Sequence, residues 1–91
     1  MVQIGGATTG SMSLAIAPNP VTDRAIVRYN VARGEVVKLE LYNELGSMVR
    51  ELVSDGSGQV VIDAGSLAAG SYTVRMRTAG GQLVERFTVT R

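Results

Sequence analysis

Apolar and polar residues alternate with a period of two through several short segments of this chain. Val37, Leu39 and Leu41 alternate with Lys38 and Glu40, and Tyr72, Val74 and Met76 alternate with Thr73, Arg75 and Arg77. In an extended backbone successive side chains point to opposite faces, so each segment presents one apolar and one polar face and reads as a half-buried β-strand. The same reading applies to Met12, Leu14 and Ile16 around Ser13 and Ala15, and to Val27, Tyr29 and Val31 around Arg28 and Asn30. It applies again to residues 59–63, with Val60 and Ile62 inward, and to Leu83, Phe87 and Val89. Glu85 interrupts the last series, which leaves two readings open: a bulge near Glu85-Arg86 resets the register, or the carboxylate sits at a sheet edge.

Turn chemistry separates these segments. Pro18 and Pro20 lack the amide a ladder needs and fix φ, and Asn19 suits a turn, so the chain must change direction there. Further turns are expected at Ala32-Arg33-Gly34-Glu35, at the glycine-rich Asp55-Gly56-Ser57-Gly58 and at Ala79-Gly80-Gly81. Asn43 and Gly46 fit the first and last positions of a type I turn, with a return strand from Val49 through Leu52. Ser66-Leu67-Ala68-Ala69-Gly70 is too short for a stable helix and reads as one compact turn whose Leu67 plugs the core. About seven short strands with such turns predict an all-β, immunoglobulin-like Greek-key β-sandwich, with a small barrel as the alternative. The small, polar stretch from Gly5 to Ser11 reads as linker, which divides the chain into a flexible segment 1–11 and a sandwich 12–91.

At 91 residues the chain has room for one modest core and is a module. It has no His and no Cys, so the usual general base, the commonest metal ligand and the usual low-pKa nucleophile are missing, as is any disulfide framework. Five glutamates and three aspartates are dispersed without a paired or calcium-loop spacing, and neither Gly5-Gly6 nor Gly80-Gly81 is a phosphate cradle. No catalytic residue, metal ligand or cofactor site is expected. A net charge of +1 with both signs scattered excludes a nucleic-acid footprint. Residues 1–4 lack the features of a signal peptide, and the chain is expected to be an excised piece of a larger protein with Met1 as an added start. With aromatics at 4% and no Trp, a carbohydrate platform finds little material. Tyr42 is the one aromatic expected on an outer face, for ligand stacking or ordinary cross-strand packing. Arg75, Arg77 and Arg86 form a possible basic stripe, either a solvated strand face or a dock for an acidic partner.

Three elements, in order, resemble the type A C-terminal sorting domain of the type IX (Por) secretion system of Bacteroidetes-type bacteria. They are Pro18-Asn19-Pro20 after the first strand, the segment Val37 to Val49 containing Leu41-Tyr42-Asn43-Glu44-Leu45-Gly46, and Leu67-Ala68-Ala69-Gly70-Ser71-Tyr72-Thr73-Val74 followed by a final hairpin from Gly80 to Arg91. The resemblance covers Leu14 to Arg91. Ser47, where a basic residue is common, and the polar ending Thr88-Val89-Thr90-Arg91 depart from the family pattern.

The resemblance implies a non-enzymatic C-terminal tail of a larger exported protein, without a small-molecule substrate or nucleic-acid partner. The tail would direct its N-terminal cargo domain through the outer membrane by way of the periplasm to the cell surface or medium. Its partners would be the outer-membrane translocon and a sortase-like peptidase that removes it during surface attachment. Gly80, Gly81, Arg86, Phe87, Val89 and Arg91 are the candidate translocon recognition residues, and Gly5, Gly6, Thr9, Gly10 and Ser11 form the candidate processing region. Pro18, Asn19, Pro20, Gly46 and Gly70 are the structural turns. The competing expectation is an immunoglobulin-like spacer module within a larger extracellular protein, which shares the Leu-x-x-Gly-x-Tyr pattern.

Overall fold

The computed structural model describes residues 6–9, 12–31, 36–53 and 58–90. One antiparallel sheet contains β1 (Gly6–Thr9), β2 (Met12–Ala17), β3 (Arg24–Asn30) and β6 (Gln59–Asp63), in the order β1-β2-β3-β6. The other contains β4 (Lys38–Asn43), β5 (Met48–Leu52), β7 (Gly70–Thr78) and β8 (Gly81–Val89), in the order β5-β4-β7-β8. The chain changes sheet between β3 and β4, β5 and β6, and β6 and β7. Strands β2 to β8 therefore form the seven-stranded, immunoglobulin-like Greek-key sandwich that the alternation predicts. The apolar faces meet between the sheets: Leu14, Ile16 and Val27 from one, Leu39, Leu41, Val74, Met76 and Phe87 from the other. A barrel is not formed, because the sheets are separate ladders, and the parallel bridge Val21↔Val89 is the only β-bridge outside them among the described residues.

The sequence reading and the structure part at residues 6–9. These lie in the stretch expected to be a flexible linker, yet they pair with β2 in the register Gly6↔Ala15 to Thr9↔Met12. Composition argues about side-chain burial, whereas a ladder is held by backbone groups that every non-proline residue carries. Gly5, Gly10 and Ser11 lie outside the described residues, as do the expected turn at 32–35, most of the glycine-rich loop and Arg91.

Two turns differ in detail. The compact turn before β7 is a single 3-10 turn at Ala64–Ser66 rather than a turn over 66–70. Asp63 caps it, its carboxylate accepting from the Gly65 amide at 3.0 Å, and Leu67 N donates to Ala64 O at 3.1 Å. Leu67 still enters the core, as expected. At the β4–β5 hairpin, Asn43 O accepts from Gly46 N at 3.0 Å, and Asn43 Oδ1 accepts from Leu45 N and Ser47 N, each at 3.0 Å. Gly46 has a left-handed φ of 83°, so this is the expected type I turn closed by glycine. The return strand begins at Met48, one residue early, and Val49 is the extra residue of a bulge, since Tyr42 pairs with Met48 and Leu41 with Arg50.

Glu85 takes the second of its two readings. The β7–β8 register runs without a shift from Gly70↔Val89 to Thr78↔Gly81, so there is no bulge, and the carboxylate lies on an edge strand.

Candidate recognition surface

The C-terminal hairpin β7–β8 is anchored by contacts that reach across the chain. Both X-Pro bonds, Ala17-Pro18 and Asn19-Pro20, are cis. The Pro18-Asn19-Pro20 turn does more than reverse the chain after β2, because it lays residues 19–21 along the far end of β8. Thr88 N donates to Asn19 Oδ1 at 3.0 Å, Val21 N donates to Thr88 O at 2.7 Å, and Thr90 N donates to Val21 O at 2.8 Å. Val21 is fully buried. The residues alone mark Asn19 as a turn former, and nothing in local spacing links position 19 to position 88.

The inner face of the hairpin is held by aromatics. The Tyr72 and Phe87 rings stack with centroids 5.7 Å apart, and the Tyr72 hydroxyl donates to Ala68 O at 2.7 Å. The second bond ties the ring to the backbone four residues upstream, and it gives the Leu-x-x-Gly-x-Tyr spacing a physical meaning. Leu67 fills the core, Gly70 opens β7, and Tyr72 both buries its ring and satisfies its hydroxyl.

The outer face of the same sheet carries the arginines. Glu40 lies there beneath Arg75 and Arg77 and is only 5% exposed. Arg75 Nε and Nη2 donate to Glu40 Oε1 at 3.2 and 3.1 Å, and Arg77 Nη2 donates to Oε2 at 3.3 Å. Arg75 also sits 5.0 Å over the Tyr42 ring and donates to its hydroxyl. Tyr42 is thus engaged in cross-strand packing. Burial alone would raise the Glu40 carboxyl, but the Arg75 hydrogen bonds, the Arg77 charge and the Tyr42 hydroxyl outweigh it and hold the group below its ordinary value. A charged strand face reads as solvated in sequence; here two arginine guanidinium groups engage a carboxylate that is itself buried.

A depressed carboxyl stabilises the fold above its unfolded pKa, about 4.3 for glutamate, and that contribution is lost as the pH falls through the lower folded value. Thermal midpoints should therefore drop on acidification below about pH 4.3 more steeply in the native domain than in a Glu40→Gln variant. Parallel curves for the two proteins would remove Glu40 from this role.

Arg86 shares the outer face through its pairing with Thr73. Arg75 neighbours both Arg77 and Arg86, but Arg77 and Arg86 lie four positions apart along the hairpin, and Glu40 engages Arg75 and Arg77, so the three do not form a uniform basic stripe. The exposed Arg86 guanidinium has no partner among the described residues. Beside Arg75 and Arg86 is a shallow depression of about 460 Å³ whose lining includes Tyr42, Glu44, Thr73 and Val84.

The other candidate residues fall into two groups. Gly80 N donates to Thr78 Oγ1 at 3.1 Å in the β7–β8 turn, where Gly81 pairs with Thr78, so both glycines are at the hairpin tip. Phe87 and Val89 are 2% and 1% exposed, so their side chains shape β8 from within. Of the processing region, Gly6 and Thr9 lie in β1, at the edge of the first sheet. Among the described residues no group of acidic side chains is placed to hold a metal ion.

No curated protein matches this chain. A family model, described as the secretion system C-terminal sorting domain, matches residues 15–90, from within β2 through the end of β8. It thus takes in the Pro-Asn-Pro turn, Tyr72 and the final hairpin, the parts that fasten the end of the domain to its beginning. On that match the chain belongs to the C-terminal sorting domains of the type IX secretion system, a family of export signals that is not a catalytic one.

Proposed function

We propose that this domain is the address read by the outer-membrane translocon after its cargo has crossed the periplasm, and that it has no chemistry of its own. A sorting domain directs a protein to the cell surface or the medium. In the finer reading the cargo lies on the N-terminal side, the folded sandwich presents its terminal hairpin to the translocon, and a sortase-like peptidase then removes the domain. The observation that carries this reading is that the family match takes in the whole β7–β8 hairpin, whose far end is tied to Asn19 and Val21. A folded unit with an edge strand can be recognised by shape and backbone pairing, without a catalytic group.

Processing is proposed between Gly5 and Ser11. Residues 6–9 are paired with β2, so a peptidase that accepts an extended strand must first lift β1 from the sheet edge. N-terminal sequencing of the released domain is expected to give a start within residues 6–11; a start inside β4 would contradict it. The sorting role itself is tested by fusing residues 1–91 behind a periplasmic reporter in a type IX-competent cell. The reporter is expected at the surface or in the medium, and in the periplasm of a translocon-deficient strain. Periplasmic retention in both strains would favour the spacer reading.

A further inference from the structure

The outer edge of β8 is unequally occupied. Antiparallel neighbours alternate between residues that bond toward their partner strand and residues that bond away from it. Thr88 bonds away from β7, to Asn19 and Val21, so by the same period Gln82, Val84 and Arg86 also direct their amides and carbonyls outward. Beyond Thr88 the edge is covered. From Gln82 to Arg86 the only outward group with a partner among the described residues is the Arg86 amide, which donates to Glu85 Oε1 at 3.2 Å. Glu85 itself belongs to the inward series with Leu83 and Phe87, and its Oε2 is buried with no partner among the described residues.

We infer that the edge of β8 from Gln82 to Arg86 is a strand-addition site for an extended segment of another protein. That segment carries an acidic residue opposite Arg86, a basic residue opposite Glu85 and an apolar residue opposite Val84. The inference rests on the sorting reading for its biological setting, and on charge and register for its specificity. Val84 and Arg86 share the outer face, where Val84 is about half exposed and the Arg86 guanidinium has no partner among the described residues. An incoming acidic side chain therefore meets a free guanidinium, and an apolar one covers Val84. On the inner face a basic side chain opposite Glu85 gives the orphaned carboxylate oxygen a partner, while the incoming backbone carbonyl replaces Glu85 at the Arg86 amide. Antiparallel addition continues the pattern of the whole sheet.

The same residues work against a second copy of this chain as the occupant. Two β8 edges paired antiparallel with their faces matched must centre on a single position. Centring on Glu85 opposes two carboxylates, centring on Arg86 opposes two guanidinium groups, and centring on Val84 sets Glu85 against Leu83. Each of these registers carries a penalty, and an inward charge on an edge strand is a known guard against self-pairing. At the opposite edge of the sheet, β5 is interrupted by its bulge at Val49 and offers no comparable uniform ladder.

The test is an NMR titration of the folded domain with two synthetic peptides of identical composition. The matched peptide, Thr-Glu-Lys-Val-Val-Thr, places Glu, Lys and Val opposite Arg86, Glu85 and Val84 when antiparallel; the control exchanges Glu and Lys. The matched peptide is expected to shift and protect the amides of Gln82, Val84 and Arg86 and to bind about fivefold more tightly than the control, the sum of two modest cross-strand pairs. Arg86→Glu, an exposed change, should narrow or reverse that preference. Equal binding of the two peptides, an unchanged preference in the variant, shifts mapping to β5, or no shifts at all would overturn the inference. Because the titration uses no secretion machinery, its failure leaves the sorting reading standing. A wild-type fusion that is not exported would sink the sorting reading and leave the titration result untouched.

Discussion

Deleting residues 87–91 is expected to abolish export of a reporter fused ahead of the domain and to leave it in the periplasm. The deletion removes Phe87, which is 2% exposed and stacked on Tyr72, and Val89, which bridges to Val21. It also strips Asn19 and Val21 of the partners they find at Thr88 and Thr90. Truncating a core Phe to Ala alone costs about 3–5 kcal/mol, and a small domain has about 5–15 kcal/mol in all. The truncated domain should therefore be largely unfolded, which circular dichroism and a melting curve will show. The control is Arg86→Glu with Arg91→Glu, which reverses the charge at exposed Arg86 and at position 91 and should stay within about 0.5 kcal/mol of the parent. If this domain keeps its melting midpoint but exports less reporter, β8 acts through its charges as well as its fold. If it exports normally, the basic residues are not the docking surface. Surface display of the truncated fusion would defeat the sorting reading outright.

Leu67→Ala is expected to cost about 2–5 kcal/mol, the range for emptying a packed leucine site. Leu67 is 6% exposed, and its amide bond to Ala64 O survives the substitution, so the loss is chiefly side-chain packing. In a domain of this size each kcal/mol lowers the melting midpoint by about 4–8 °C. Leu45, at 85% exposure on the β4–β5 turn, is the matched comparison, and Leu45→Ala should change stability by no more than about 0.5 kcal/mol. Equal melting midpoints for the two variants would place Leu67 outside the core.

The strands from Met12 onward are legible because the period-two signal is local. Each pair of positions two apart needs only an extended backbone to share a face, so Val37, Leu39 and Leu41 declare their strand before any partner is known. The Asn43 to Gly46 turn is legible for the same reason, since its hydrogen bonds close within five residues. The Pro-Asn-Pro and Leu-x-x-Gly-x-Tyr segments carry the family resemblance, and through it the sorting role, although their mechanical meaning is hidden at that level.

What only the tertiary structure decided concerns groups whose partners are distant in the chain. Glu40 is buried because register sets it against Arg75, 35 positions away, with Arg77 beside it. Asn19 caps Thr88 across 69 positions, a contact no local periodicity encodes. Residues 6–9 join the sheet through backbone bonds, which composition does not weigh. Glu85 broke the alternation in a way compatible with a bulge or an edge, and only the continuous β7–β8 register distinguishes them. Local geometry is written in the spacing of side chains along the chain, so the sequence alone determined strand, turn and fold class. Burial of charge, closure of an edge and the free segment of β8 depend on which strands become neighbours, which packing of the two sheets decides for the molecule as a whole.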